Sequence, residues 1–396
     1  MRSGRPTPRK EFIMTEPRST LVSLDDTPWY HVVSRCVRRA FLCGHDAHTG
    51  RSFEHRRGWI ADRIKQLASV FAIDIAAYAV MSNHFHIVVR VDDTRVQGLG
   101  RDEALSRWTQ LFAGPTLVQR YLADAERLGQ AEIELVDAWA ETYRSRLADL
   151  SWFMRVLNES IARQANAEDG VTGRFWEGRF KSQALLDEQA VLTAMAYVDL
   201  NPIRAGIADT PERSDYTSVA ERTDLLLRLA MDDDPQTCGS PSIDAADSTK
   251  GCMRRSYRIA RAVGHQWRAD PQDAESLNPE WALNRLPGAP LMPFDATGRT
   301  EPAVPFGFED YLQLVEATGR VIREDKRGFI DGATPPLLVR LGIDPDQFIL
   351  TSSRLLRQFG SVVGTPGRIT ARCDARQTRY LRGIGAARKL FPNHAA

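Results

Sequence analysis

Two histidines separated by one large hydrophobe, His84-Phe85-His86, sit inside an apolar run from Tyr78 to Val91. In a strand, alternate residues share a face, so both imidazoles project to one side while Phe85 turns to the other. Two neutral imidazoles side by side make half of a metal site. Further along the chain Tyr197 and Asn201 stand four residues apart, a spacing that a helix brings onto one face. Between these pairs, Gly173-Arg-Phe-Trp-Glu-Gly-Arg-Phe-Lys181 interleaves Arg174, Arg179 and Lys181 with Phe175, Trp176 and Phe180. Cations for phosphates and flat rings for bases are what single-stranded nucleic acid needs. The same composition also suits a loop whose aromatics plug the core while its cations sit in water, and the histidines alone suit two satisfied core residues.

The elements that must position these groups follow from hydrophobic period. Trp29-Tyr-His-Val-Val-Ser-Arg35, opened by Thr27-Pro28, predicts a first strand in which His31 is structural. Residues 53–70 carry helical periodicity through Trp59, Ile60, Ile64, Leu67 and Ala68. A second apolar run, 71–80, then leads through Met81-Ser82-Asn83 into the strand bearing the histidines, whose Ile87, Val88, Val89 and Val91 are β-branched. A strand, a helix and two strands begin an antiparallel sheet with helices on one face. Residues 92–149 turn polar and Ala/Glu/Arg-rich, and predict an inserted helical excursion with helices near 103–111 and 131–147. An amphipathic helix over 151–165 buries Trp152, Phe153, Val156, Leu157 and Ile161. Asp187 caps a helix over 188–200 that stops at Asn201 before Pro202. Its predicted core stripe is Val191, Leu192, Met195 and Val198, which leaves Tyr197 and Asn201 on the opposite side beside Ala190 and Ala194. The plain alternative is an ordinary surface tyrosine and a helix-ending asparagine.

With 396 residues and 43% hydrophobic content, the chain has material for two ordinary domains with real cores. Its 52 basic and 51 acidic residues nearly cancel, which on average argues against a nucleic-acid binder. The distribution is uneven, however. Residues 231–250 read as an acidic linker, whereas 351–396 hold nine basic residues (Arg354, Arg357, Arg368, Arg372, Arg376, Arg379, Arg382, Arg388, Lys389) against the single acid Asp374. Such clustering is the footprint of a polyanion partner. Five cysteines without a Cys-x-x-Cys indicate neither a disulfide framework nor a zinc ribbon, and predict the reducing cytoplasm. No run approaches a membrane span of about 18 apolar residues. The expected layout is a disordered basic leader over 1–24, with Met14 as an alternative start. A catalytic domain over 25–222, an acidic linker over 223–255, and a mainly helical accessory region over 256–396 with a basic tail follow. In that last region helices are expected near 308–322, 335–341 and 345–359.

Four motifs in order, Trp29-Tyr-His-Val-Val-Ser-Arg35, Val80-Met-Ser-Asn-His-Phe-His-Ile-Val88, Gly173-Arg-Phe-Trp-Glu-Gly-Arg-Phe-Lys-Ser182 and Tyr197-Val-Asp-Leu-Asn-Pro-Ile-Arg-Ala-Gly206, resemble those of a known family. They are similar to the single-tyrosine transposases of the HUH nuclease superfamily, in the branch of REP-associated tyrosine transposases. The resemblance covers residues 28–218. It implies an α+β, ferredoxin-like antiparallel sheet with helices on one face and the histidines on a central strand. It implies that His84, His86 and Asn201 hold a divalent ion, Mg²⁺ or Mn²⁺. Tyr197 would then attack a phosphodiester to leave a 5′-phosphotyrosine and a free 3′-hydroxyl. The implied partner is single-stranded or hairpin DNA, touched by Arg35, Arg174, Trp176, Arg179, Lys181 and Arg204. No nucleotide cofactor and no membrane partner is expected; a homodimer is one expectation and a monomer the other, since relatives differ in oligomeric state, and the use of Tyr197 with its own or a partner subunit's histidines stays open. The chain departs from compact relatives in its long excursion over 92–149 and in everything after Lys250, whose basic tail is expected to be an accessory DNA-binding module. Two rival readings stay open: a descendant that binds hairpins without cutting, and an unrelated zinc hydrolase that would use Glu177 as its carboxylate.

Overall fold

The computed structural model describes residues 21–37, 42–45, 50–232, 276–322 and 336–394. Strand β1 (Trp29–Arg35) is followed by helix α1 (Arg56–Val70), then by β2 (Ile73–Val80) and β3 (His84–Val91). The polar stretch after β3 is helical as expected: α2 (Asp93–Gln97), α3 (Arg101–Thr109), α4 (Thr116–Ala123) and α5 (Gln130–Leu147). Helix α6 (Leu150–Asp169), strand β4 (Lys181–Leu185), α7 (Glu188–Asp199), α8 (Asn201–Arg204) and α9 (Ser218–Asp232) follow. Beyond residue 275 come α10 (Glu280–Leu283), α11 (Phe308–Ile322), α12 (Pro336–Arg340), α13 (Pro345–Gln358), β5 (Val362–Val363), α14 (Pro366–Ala375) and α15 (Ile384–Leu390). The chain is therefore α+β. Among the described residues no helix is long and apolar enough to cross a membrane.

The five strands form one sheet in the order β2-β3-β1-β4-β5. Neighbours pair antiparallel through β4, and β5 then runs parallel to β4, so the sheet is mixed where a purely antiparallel one was expected. The β2 edge is covered. Beside β2, Val80 N–H donates to the Tyr216 carbonyl at 3.1 Å and Met292 N–H to the Ile75 carbonyl at 2.8 Å. Unpaired edges invite pairing with another chain, and these segments remove that hazard on the β2 side.

Helices cover both faces, which corrects the expectation of helices on one face. Directly opposed residues share a face, and the register sets Ser34 against Phe85 and Val33 against His86. On the Phe85 face lies α6, whose Asn158 Nδ2 donates to Ser34 Oγ at 3.0 Å. Alongside it, α1 is tied to the end of α6 by Arg56, which is 1% exposed and meets Glu168 at 2.6 Å and Asp169 at 2.5 Å. Phe71 and Phe153 meet edge to face between the same two helices. The other face, carrying His86, is covered by α7.

The segment after residue 275 is built into the same core. It supplies β5, it contributes Tyr311, Phe348, Phe359 and Val363 to the continuous cluster of buried side chains, and it lays α13 over α7. The most telling contact is polar. Asp199, fully buried at the end of α7, accepts from Ser218 Oγ at 2.6 Å, Val219 N–H at 3.2 Å and Tyr311 Oη at 2.6 Å. Burial raises its pKa above the usual carboxylate value, although these donors pull the other way. The expected linker is shortened at its start, because α9 runs to Asp232; the rest of it, and the leader through residue 20, lie outside the described residues.

Candidate functional site

The strand alternation holds. His84 and His86 emerge on one face of β3, with ring centroids 4.8 Å apart, while Phe85 points into the α6 side and meets Trp176 edge to face. Register brings further polar residues to the histidine face: Arg35 lies opposite His84, and Gln183 of β4 lies opposite His31 of β1. His31, expected to be structural, is thus part of the site. Its ring stacks on His86 with centroids 5.2 Å apart and an interplanar angle of 13°. The available signal was a histidine in an otherwise apolar strand, sharing the face of Arg35; cross-strand pairing, which makes it a neighbour of His86, is not local information.

The hydrogen bonds of the three rings differ. His84 Nδ1 meets Asn83 Oδ1 at 2.5 Å, so its Nε2 carries the lone pair and is free to ligate. His31 Nδ1 meets Gln183 Oε1 at 3.0 Å and His31 Nε2 meets His86 Nδ1 at 3.0 Å. Gln183 Nε2 in turn donates to the Gly360 carbonyl at 2.8 Å. His86 Nε2 has no partner, although His86 is fully buried. Burial lowers the pKa of His31 and of His84 to about 4, in the latter case assisted by the Arg35 and Arg204 charges. It holds His86 well below the ordinary histidine value too, with the neighbouring His84 and His31 as lesser causes. All three rings are neutral at pH 7, the state in which imidazole binds a metal.

Tyr197 comes to this face from α7. Its ring lies 5.4 Å from that of His86 and 5.7 Å from that of His31, edge-on to both. The expectation that Tyr197 stands on the side away from the core is corrected: Tyr197 is 5% exposed and every residue from Ala190 to Asp199 is buried. Between Gln189 and Asp199 the helix contains no charged side chain, and a helix apolar all round is a buried one. Its small residues Ala190, Thr193 and Ala194 permit close approach on the side that looked free. Pro202 does not end helical structure either; it occupies an early position of α8, where its missing N–H costs nothing. Asn201 is 2% exposed. Its Oδ1 accepts from the Arg204 guanidinium, which also donates to the Ser352 carbonyl at 2.7 Å and lies 4.6 Å from the Tyr197 ring centroid.

The aromatic and basic segment divides into two jobs. Phe175, Trp176 and Phe180 are buried, and Trp176 Nε1 donates to the Asn158 carbonyl of α6 at 2.7 Å. The expectation that Trp176 presents its ring to DNA is therefore corrected: the indole is a core residue. Arg174, though exposed, folds back, donating to the Trp176 carbonyl at 2.8 Å and to that of Glu177. Glu177 N–H pairs with the Arg35 carbonyl at 2.8 Å, which runs the segment along the end of β1. Arg35, Arg179 and Lys181 are exposed at the same end of the sheet as His84.

The donor set can be tested against a cation. Two Nε2 lone pairs on one strand face, one of them buried and orphaned, fit a divalent ion. The third expected ligand fits less directly, because the Asn201 oxygen is held by Arg204 while its Nδ2 is left unpartnered. Among the described residues no cluster of three His, Cys, Asp or Glu side chains adds a stronger donor.

No protein-family model and no curated protein matches the sequence. Among solved structures, the chain is similar to that of a REP-associated tyrosine transposase bound to a REP hairpin. The identity is 13% over 59% of this chain and 96% of that one, with a TM-score of 0.31.

Proposed function

We propose that this chain is a transposase-type nuclease that cleaves and rejoins single-stranded, hairpin-bearing DNA through Tyr197. The observation that carries the proposal is the meeting of four groups on one sheet face: a tyrosine ring edge-on to His86, the ligand-ready His84 and His86, and the Arg204 guanidinium over the tyrosine. Phosphoryl transfer needs a nucleophile and positive charge around the phosphate oxygens, and little else. The strand order β2-β3-β1-β4, with α1 and α6 as crossovers, supports a ferredoxin-like core.

In the reaction the Tyr197 oxygen bonds to phosphorus and the bond from phosphorus to the 3′ oxygen breaks. The phenol gives up a proton, the departing 3′ oxygen takes one, and a 5′-phosphotyrosine remains. Rejoining reverses the step, with no nucleotide cofactor consumed. A divalent ion, Mg²⁺ or Mn²⁺, held by His84 and His86 would polarise the scissile phosphate. Arg204 serves the same phosphate: turning its guanidinium from Asn201 to a phosphate oxygen would release the Asn201 oxygen as a donor. Exposed Arg35, Arg179 and Lys181 would track the backbone beside His84, and the exposed cations of the C-terminal region, Arg354, Arg357, Arg368, Arg379, Arg382, Arg388 and Lys389, would hold flanking DNA.

The test is incubation of the purified chain with labelled single-stranded hairpin DNA from the ends flanking its own gene, with Mg²⁺ or Mn²⁺, followed by a denaturing gel. A covalent adduct is expected that disappears with Tyr197→Phe and with EDTA. Tight hairpin binding without an adduct under either ion would instead mark a binding-only protein, and absence of DNA binding would overturn the proposal altogether.

A further inference from the structure

We infer that Gln183 and His31 are positioning residues which, anchored on the Gly360 carbonyl, hold His86 in its Nδ1–H tautomer and thereby aim its Nε2 lone pair into the site. The inference rests on the reading of His86 as a ligand, but its structural content concerns the metal-free protein alone.

Each link dictates the next. A backbone carbonyl only accepts, so the group of Gln183 that faces Gly360 at 2.8 Å is its NH₂. The other end of the amide, Oε1, therefore faces His31 Nδ1 at 3.0 Å, and as an oxygen it too only accepts. His31 Nδ1 must carry its ring's proton. His31 is fully buried with no carboxylate among its hydrogen-bond partners, so it is neutral and its Nε2 is a bare lone pair. Across 3.0 Å, His86 Nδ1 must then donate, which leaves His86 Nε2 without a proton. That atom is the orphan: buried, unpartnered and beside the rings of His84 and Tyr197. A neutral imidazole left to itself prefers the opposite tautomer, with a proton on Nε2, which would block ligation. The chain of bonds supplies direction, and its origin lies in the segment leading into β5, far from the motifs around the histidines.

The decisive measurement is a long-range ¹H–¹⁵N correlation spectrum of the full-length, metal-free protein labelled at histidine nitrogens. His86 is expected to show a protonated Nδ1 and an unprotonated Nε2. In His31→Leu, which keeps the volume but can neither donate nor accept, His86 is expected to lose that preference and populate the Nε2–H form. In His31→Gln, whose amide can donate to Gln183 and accept from His86, the wild-type tautomer should return. Mn²⁺ affinity, read by electron paramagnetic resonance without DNA, should fall about 10- to 100-fold in His31→Leu and recover in His31→Gln. A wild-type His86 carrying its proton on Nε2 overturns the inference whatever the variants do, so a poorly folding variant does not shield it. An unchanged tautomer in His31→Leu overturns it as well. If the tautomer is as stated but no DNA adduct forms, the nuclease proposal fails while the positioning role stands.

Discussion

Replacing Tyr311 by phenylalanine removes one oxygen and keeps the ring, so it leaves no cavity and isolates one hydrogen bond. Tyr311 is fully buried and donates at 2.6 Å to Asp199 Oδ2; Asp199 Oδ1 is served separately by Ser218 and Val219. Without the hydroxyl, Oδ2 has no donor in a site that water does not reach. A hydrogen bond to a charged group is worth roughly 1.5–3 kcal/mol, and an abandoned buried acceptor forfeits a similar amount, so a loss of about 2 kcal/mol is expected. In a protein of this size that corresponds to a melting point lower by roughly 2–3 °C. The pH dependence sharpens the test. Asp199 has a raised folded-state pKa, so its contribution to stability is fully present below the unfolded carboxylate value and is lost as pH rises through the folded one. The Tyr311 hydroxyl is among the groups that pull that pKa down, and removing it lets the pKa climb further. The defect of Tyr311→Phe should therefore be smallest in acid and grow as pH increases. Thermal and urea denaturation of both proteins from about pH 5 upward would read this out. A defect that is absent, or that shrinks with rising pH, would refute the account of Asp199 as a buried, hydroxyl-supported carboxylate joining α7 to α11.

Two further outcomes follow from the division of the aromatic and basic segment. Trp176→Leu should lower stability by about 1–3 kcal/mol, through loss of the bond to Asn158 and of packing on Phe85, while hairpin affinity measured below its melting point stays unchanged. A stacked base would instead forfeit roughly 1–3 kcal/mol of binding. Arg35→Ala and Lys181→Ala should each flatten the dependence of log affinity on log salt by about 0.7 in single-stranded DNA titrations. Arg174→Ala, whose guanidinium is spent on two backbone carbonyls, should show as reduced stability with the salt slope intact.

Much of the scaffold was legible because it is written in short-range periodicity. β1 spans Trp29–Arg35 and α11 spans Phe308–Ile322 as expected, and the predicted apolar runs and stripes became β2, β3, α6 and α7 with shifts of a few residues. The alternation that sends His84 and His86 one way and Phe85 the other is likewise a property of three consecutive residues. What escaped the sequence depends on distant partners. β4 and β5 are too short to announce themselves, and only their pairing makes Gln183 a neighbour of His31. The full burial of α7 needed α11 and α13, and the fate of Trp176 needed the Asn158 carbonyl. Composition offered rings and cations together and carried no information on which of them the core would claim.

The parallel pairing of β5 with β4 bears on when the protein becomes competent during its own synthesis. A chain emerging from the ribosome releases β1, β3, β4 and α7 long before Gly360 and Val362 exist. Until then β4 has an open edge, Gln183 has no carbonyl to orient it, and the outer surface of α7 is bare. Contacts so remote along the chain also form slowly. A nascent or prematurely terminated polypeptide would thus carry the tyrosine and both histidines without the Gly360 anchor and without the α13 cover. Under the proposed function, cleavage would wait until translation is nearly complete.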